Sequence, residues 1–196
     1  MADLPFTGHE KYPLENETAM VFWGRVKLEA ACSVFYFHTK GKIRGVLHRI
    51  KYEGRRDLAV EMGKLMGHYL GKSEYFRSAD LIVPVPLHPS RKAERGFNQC
   101  DYLAKGLSER LNIHWTPNAI SRTRNNPTQT RLSREKRFEN TDSLFAIVDQ
   151  EKIRAKNILL IDDVLTTGAT LESCMQVLLD GGAASITVAT LACGEG

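Results

Sequence analysis

Residues 158–170 read ILLIDDVLTTGAT: four apolar residues, two adjacent carboxylates (Asp162 and Asp163), then Val164 and Leu165, then Thr166, Thr167, Gly168, Ala169 and Thr170. A short apolar run bounded by polar residues is the pattern of a strand buried in a parallel sheet. The segment after it, TLESCMQVLLDGG, has helical spacing and stops at Gly181 and Gly182. Ligands of open α/β sheets sit beyond the carboxyl ends of the strands, and the run places both aspartates at that end, just before a helix. TTGAT then offers backbone N–H groups at a helix N-terminus, three hydroxyls and a glycine that lets the chain come close, which together suit a phosphate dianion. Two carboxylates beside a phosphate make sense when the same ligand carries a vicinal diol, since hydroxyls donate and carboxylates are strong acceptors. A ribose 5-phosphate unit satisfies both halves. Two aspartates alone would fit a capped helix with a solvated approach loop equally well; the complete string is what favours the ligand.

Outward from this stretch, KNILLI and SITVATLAC read as strands on either side of the helix. ADLIVPVPLH is a buried strand stopped by prolines. LEAACSVFYF is a strand closed by a turn at HTKGK. Leu47, Ile50, Leu58, Met62, Leu65, Met66 and Leu70 recur at helical spacing, broken near Gly54 into two helices. Leu103, Leu107 and Leu111 mark another helix, and NAIS and LFAIV are short strand candidates. This alternation predicts an α/β fold with a mostly parallel central sheet flanked by helices. Residues 1–27 show little periodicity and are expected as an extended lead-in to a domain over 28–196.

The chain has 196 residues, 42% hydrophobic and 26% charged, with a formal net charge of +4. This is the composition of a globular protein with a proper core. The mild basicity fits an anionic small ligand or a nucleic acid, and is also ordinary. Cys32, Cys100, Cys174 and Cys193 lie too far apart in sequence for a zinc ribbon or a disulfide framework. No apolar run approaches the roughly 20 residues of a membrane span, and the N-terminus does not read as a secretory signal, so a cytoplasmic protein is expected. GHYLGKS (67–73) has its glycines one residue too close for a P-loop and follows a helical pattern, where carbonyls would repel phosphate.

The string at 158–170 resembles the phosphoribosyl pyrophosphate (PRPP) signature of type I phosphoribosyltransferases. The resemblance implies that fold, with an N-terminal strand and helix extension and a flexible hood loop. It implies that Asp162 and Asp163 bind the ribose hydroxyls with a magnesium ion brought by PRPP, alongside Val164 and Leu165. Thr166, Thr167, Gly168, Ala169 and Thr170 would cradle the 5-phosphate. LIVPVPLHPSRKAERGFNQ (81–99), RIKYEGRRDL (49–58) and RTRNNPTQTRLSREKRFEN (122–140) extend the likeness to the ComF-like, amidophosphoribosyltransferase-like branch associated with DNA uptake in competence. Members of that branch commonly begin with a four-cysteine zinc module. None is present in this sequence, whose ADLP looks like the end of one, so no zinc site is expected.

PRPP carries a charge of about −4 to −5, more than one helix N-terminus neutralises. By the resemblance, the loop after the LIVPVP strand touches pyrophosphate through Pro86, Leu87, His88, Arg91, Lys92 and Arg95, with Lys51 as a further candidate. Arg122, Arg124, Arg131, Arg134, Lys136 and Arg137 face a single acid, Glu135, between residues 121 and 138. That position matches the hood loop, which would exclude water and bring cations to the departing pyrophosphate. Asp162, Asp163, Arg122 and Arg124 are then the expected catalytic residues. The leading expectation is transfer of a phosphoribosyl group from PRPP to a nucleophile. A PRPP sensor without turnover and a nucleic-acid-binding accessory of DNA uptake are the alternatives, and a homodimer is compatible with all three. Phe138 alone interrupts the basic segment with an aromatic, which speaks against single-strand stacking there.

Overall fold

The structure, a computed structural model, describes residues 4–123 and 144–194. Its centre is a parallel sheet of β1 (Ala30–Phe37), β6 (Ser185–Gly194), β5 (Asn157–Leu165) and β2 (Leu81–Pro84), in that spatial order. Within β5, Leu159 and Ile161 join one apolar cluster with α2 (Lys42–Tyr52), α3 (Arg56–Leu70) and α6 (Gln99–Leu111). Ile158 and Leu160 join the other, with α1 (Glu17–Met20) and α7 (Ala169–Asp180). A strand apolar on both faces therefore lies between two helical layers, as its unbroken apolar run requires. The short strands β3 (Ile120–Arg122) and β4 (Phe145–Ile147) pair antiparallel beside the second layer. No helix among the described residues is long and apolar enough to cross a membrane.

Two features of the sheet create the site. Pro84 and Pro86 stop β2 at Ile161, since proline cannot donate to the ladder. β5 continues past that point because β6 still pairs with it, Asp162 to Thr190 and Leu165 to Cys193. The aspartates thus lie within the strand, not in a loop after it as the apolar run alone suggests. Beyond Ile161 the β2 side of β5 is left to α6. That helix is pinned by backbone approach to α3: a Cβ on Gly106 would collide with the Val60 carbonyl, and one on Gly63 with the Leu103 carbonyl. Asn98 caps α6 through the N–H of Cys100 and donates to the carbonyl of Val85, just past β2.

Residues 4–27, expected as an extended lead-in, contain a 3₁₀ turn at His9–Lys11 and the one-turn helix α1. They follow the outer edge of β1, with Thr7 N–H donating to Val34 O and Tyr36 N–H to Pro5 O. Thr18, Ser33 and Thr190 hydroxyls form a buried chain at 2.6 Å per step. Local periodicity was weak because these bonds come from caps and from the edge of a distant strand, which the segment covers. α4 (Glu74–Arg77) and α5 (Pro89–Arg95) also carried no periodic signal.

Candidate functional site

Asp163 is 6% exposed. Lys51 Nζ lies 2.6 Å from its Oδ2, and Gln99 Nε2 donates to the same oxygen at 3.0 Å. Asp162, half-buried beside it, accepts at Oδ1 from the Asp163 backbone N–H at 2.8 Å and from Cys100 Sγ at 3.3 Å. Burial, and then the charge of Asp163, push the Asp162 carboxyl up to about 7. For Lys51, burial pulls downward, but the charge and hydrogen bond of Asp163 outweigh it and raise the ammonium above its ordinary value. The puzzle of two adjacent acids thus resolves in part. One is neutralised by a lysine and the other holds a proton readily near neutrality. The Cys100 thiol, raised well above its usual range by burial and then by both carboxylates, is a hydrogen-bond donor here and not a nucleophile.

Beyond Leu165 the chain turns through exposed Thr166 and Thr167 to Gly168, whose φ of 79° is left-handed backbone that favours glycine. Among the described residues, the N–H groups of Thr166, Thr167 and Gly168 have no acceptor. The Ala169 N–H has only a long contact to Thr167 Oγ1, at 3.5 Å. These donors stand at the N-terminus of the twelve-residue α7, where the helix dipole favours an anion. Thr170 is half-buried in its first turn.

The segment expected as a pyrophosphate loop is largely helical. Pro89 opens α5 and Gly96, at φ 80°, closes it. His88 is the N-cap: its Nδ1 accepts from the Ser90 N–H at 3.2 Å and contacts the Ser90 hydroxyl at 2.7 Å. That ring nitrogen therefore serves the fold. Pro86 and Leu87 lie half-buried between β2 and α5. Arg91 and Lys92 are exposed on α5, and Lys92 lies close enough to lower the Asp101 carboxyl, which burial otherwise raises. Arg95 reaches the site through Gln99. It donates to Gln99 Oε1, so one amide joins Arg95 to Asp163 and hence to Lys51.

Arg122 ends β3 with its Nε buried and without a hydrogen-bond partner among the described residues, its guanidinium 5.5 Å from the centre of the Phe145 ring. The buried Cys174 thiol is raised by burial and Asp162 and lowered by Arg122, so both charges are within electrostatic reach of one atom of α7. Arg124, Arg131, Arg134, Lys136 and Arg137, and with them most of the expected hood loop, lie outside the described residues. Gln99 and Cys100 were missed in the sequence. The signal was present in FNQ, where Asn98 caps a helix that starts beside the site and Gln99 stands four residues after Arg95.

Among the described residues, no three His, Cys, Asp or Glu side chains gather as a metal site. Two adjacent carboxylates, one already tied to an ammonium, fit a magnesium ion held jointly with a ligand's phosphates better than one held by the protein alone. A cleft of about 480 Å³ lined by Glu29, Glu74, Tyr75, Asn157 and Ser185 opens at the amino ends of the strands, away from this chemistry.

Residues 98–195 match the phosphoribosyl transferase domain family. The chain belongs to that family. The match runs from the cap of α6 through both aspartates and the glycine turn. Relatives place it in the ComF-like branch of the phosphoribosyltransferases. It is 33% identical over 146 residues to DNA utilization protein YhgH of Escherichia coli (strain K12), covering 73% of this chain and 63% of that protein. It is 39% identical over 114 residues to competence protein ComFC of Bacillus subtilis (strain 168), covering 57% and 43%. The chain thus spans less than two thirds of the length of these relatives. The allosteric regulatory enzyme of purine biosynthesis superposes with a TM-score of 0.53 at 18% identity, over 74% of this chain and 30% of its own. This likeness shows that the α/β fold is shared over most of the chain.

Proposed function

We propose that the protein binds PRPP at the carboxyl ends of β5 and β2 and transfers its phosphoribosyl group to a nucleophile, releasing pyrophosphate. The observation that carries this reading is the adjacency, on one strand end, of a carboxylate pair and a turn whose N–H groups find no acceptor among the described residues. Thr166 to Thr170 would hold the 5-phosphate, and Asp162 and Asp163 would accept from the ribose hydroxyls, with Val164 and Leu165 as the backbone between. Lys51, Arg95 and Arg122 would supply positive charge toward the pyrophosphate, with Arg124 the remaining catalytic candidate. A lone pair of the nucleophile forms the new bond to the ribose C1 as the C1–O bond breaks and its electrons leave with pyrophosphate. The protein positions the diol and phosphate and neutralises the departing charge. A magnesium ion held with PRPP would shield the phosphate charge. Four free, buried cysteines fit a reducing cytoplasmic setting.

Magnesium–PRPP at a hundred times its Kd should stabilise the fold by about 2.7 kcal/mol, read as a thermal shift. Pyrophosphate release is then assayed with PRPP and a panel of amines and bases. No shift at millimolar ligand would overturn the site; a shift without release across the panel would leave a PRPP sensor. The names of the relatives, DNA utilization protein and competence protein, favour a second reading, an accessory of DNA handling. Anisotropy of labelled single-stranded DNA, with and without PRPP, tests it. Absence of binding in both conditions would remove it.

A further inference from the structure

Arg25 follows α1, outside the stretch that matches the family. Its Nη1 donates to the carbonyls of Val21 at 3.0 Å and Thr167 at 3.1 Å. Its Nε donates to Glu172 Oε2 at 3.1 Å, and Nη2 lies 2.5 Å from the same oxygen. One guanidinium thus ties the N-terminal segment to the glycine turn and to the first turn of α7. Directly beside it, Val21 and the fully buried Phe22 pack on Gly168, where an added Cβ would stand 2.6 Å from Val21 Cγ1 and 3.0 Å from Phe22 Cε1.

We propose that Val21, Phe22 and Arg25 form the back wall of the phosphate turn, and that Arg25 is the positioning residue that aims its N–H groups. The inference rests on the assignment of Thr166–Thr170 to a ribose 5-phosphate ligand. A trans peptide is planar, with its C=O and N–H on opposite sides. Holding the Thr167 carbonyl toward Arg25 therefore turns the Gly168 N–H away from the wall, to the side a ligand can reach. A free loop would spend part of its time with that peptide rotated, and a phosphate would have to order it on binding. The same guanidinium neutralises Glu172, whose charge suits a helix N-terminus but would repel a phosphate placed there.

These two effects are separable. Arg25→Ala removes both, whereas Arg25→Ala with Glu172→Gln removes the repulsion and leaves the carbonyl unanchored. Calorimetric titration with ribose 5-phosphate should show Arg25→Ala weakened about tenfold, or about 1.4 kcal/mol. The double variant should remain at least about threefold weaker than the parent protein, about 0.7 kcal/mol on the same scale. Arg25→Lys keeps the charge but cannot fork to three acceptors, and should fall between; it also serves if the alanine variant does not fold. In ¹⁵N–¹H spectra the Gly168 amide should move on adding ribose 5-phosphate to the parent protein and move less in Arg25→Lys, a readout that a loss of global stability would not change. Parental affinity in Arg25→Ala, or in Arg25→Lys should that variant alone fold, would overturn the inference. Full recovery in the double variant would do the same, reducing Arg25 to a counter-charge. No binding by the parent protein would overturn the ligand assignment itself, and this inference with it.

Discussion

Asp163 is 6% exposed and held by side chains from α2 and α6, whereas Thr166 and Thr167, three and four residues on, are exposed and held through a backbone carbonyl. The carboxylate half is a buried charge network whose partners lie 64 residues away at Gln99 and further still at Lys51. The half proposed to take the phosphate is a turn whose N–H groups find no acceptor among the described residues, backed by the N-terminal segment. Damage to a buried network costs stability, because an uncompensated charge is left inside. Damage to a solvated turn costs affinity, because only the ligand uses its donors. Damage to the carboxylate half should therefore show in stability as well as in affinity for the ribose, and damage to the turn in affinity alone.

The largest effect tests that division on the ligand side. Asp162→Asn with Asp163→Asn removes two carboxylate acceptors, both ionised once the pH stands above the Asp162 value of about 7, so under those conditions ribose 5-phosphate should lose about 3–6 kcal/mol, taking each bond at about 1.5–3. Inorganic phosphate should bind as before or better, since negative charge has gone and the turn remains. Calorimetric titration of both ligands decides; equal loss of the two would make the aspartates supports of the turn and erase the contrast.

Next in size is a pH effect. A carboxyl raised from 3.8 to about 7 binds its proton more tightly in the folded state than in the unfolded one. Its contribution is present below the unfolded value and is lost as pH rises from about 4 through about 7, with a ceiling of about 4 kcal/mol. Asp162→Asn cannot titrate, so its stability relative to the parent protein should improve across that window. Urea denaturation at a series of pH values measures the difference, and a flat difference would place Asp162 with the solvated half.

Lys51→Met should cost about 3 kcal/mol in the same denaturation experiment, because Asp163 would keep only the Gln99 amide. A cost under about 0.5 kcal/mol would show that the pair behaves as a surface ion pair. The smallest effect concerns the link between Arg95 and Asp163. Gln99→Ala should cost about 1–2 kcal/mol, and a cycle with Arg95→Ala should show coupling of at least about 0.5 kcal/mol. Additive effects would mean that the amide does not join the two.

The central strands were legible as short unbroken apolar runs, and the helices around Gly54 and after the two apolar strands because each repeats apolar residues at helical spacing. The two halves of the site were legible for a related reason: 158–170 is contiguous, and its residue types declare their chemistry. α5 was hidden because seven residues with no buried position carry no periodic signal. The cap that His88 Nδ1 makes on α5 was hidden too, because a sequence does not show that an imidazole nitrogen is spent on the next turn.

What the sequence by itself determined is the sheet class, the family, and which polar residue types stand together at one strand end, all of which rest on local pattern. The tertiary structure decided which groups answer that chemistry. Lys51, Gln99 and Cys100 reach the aspartates only because α6 packs on α3 through two glycines and β2 ends early at its prolines. Arg25 reaches the turn only because the N-terminal segment follows the edge of β1. Such contacts act over a few ångströms of space, and the chain separations they span, from 62 residues for Cys100 and Asp162 to 147 for Arg25 and Glu172, leave no mark on local composition.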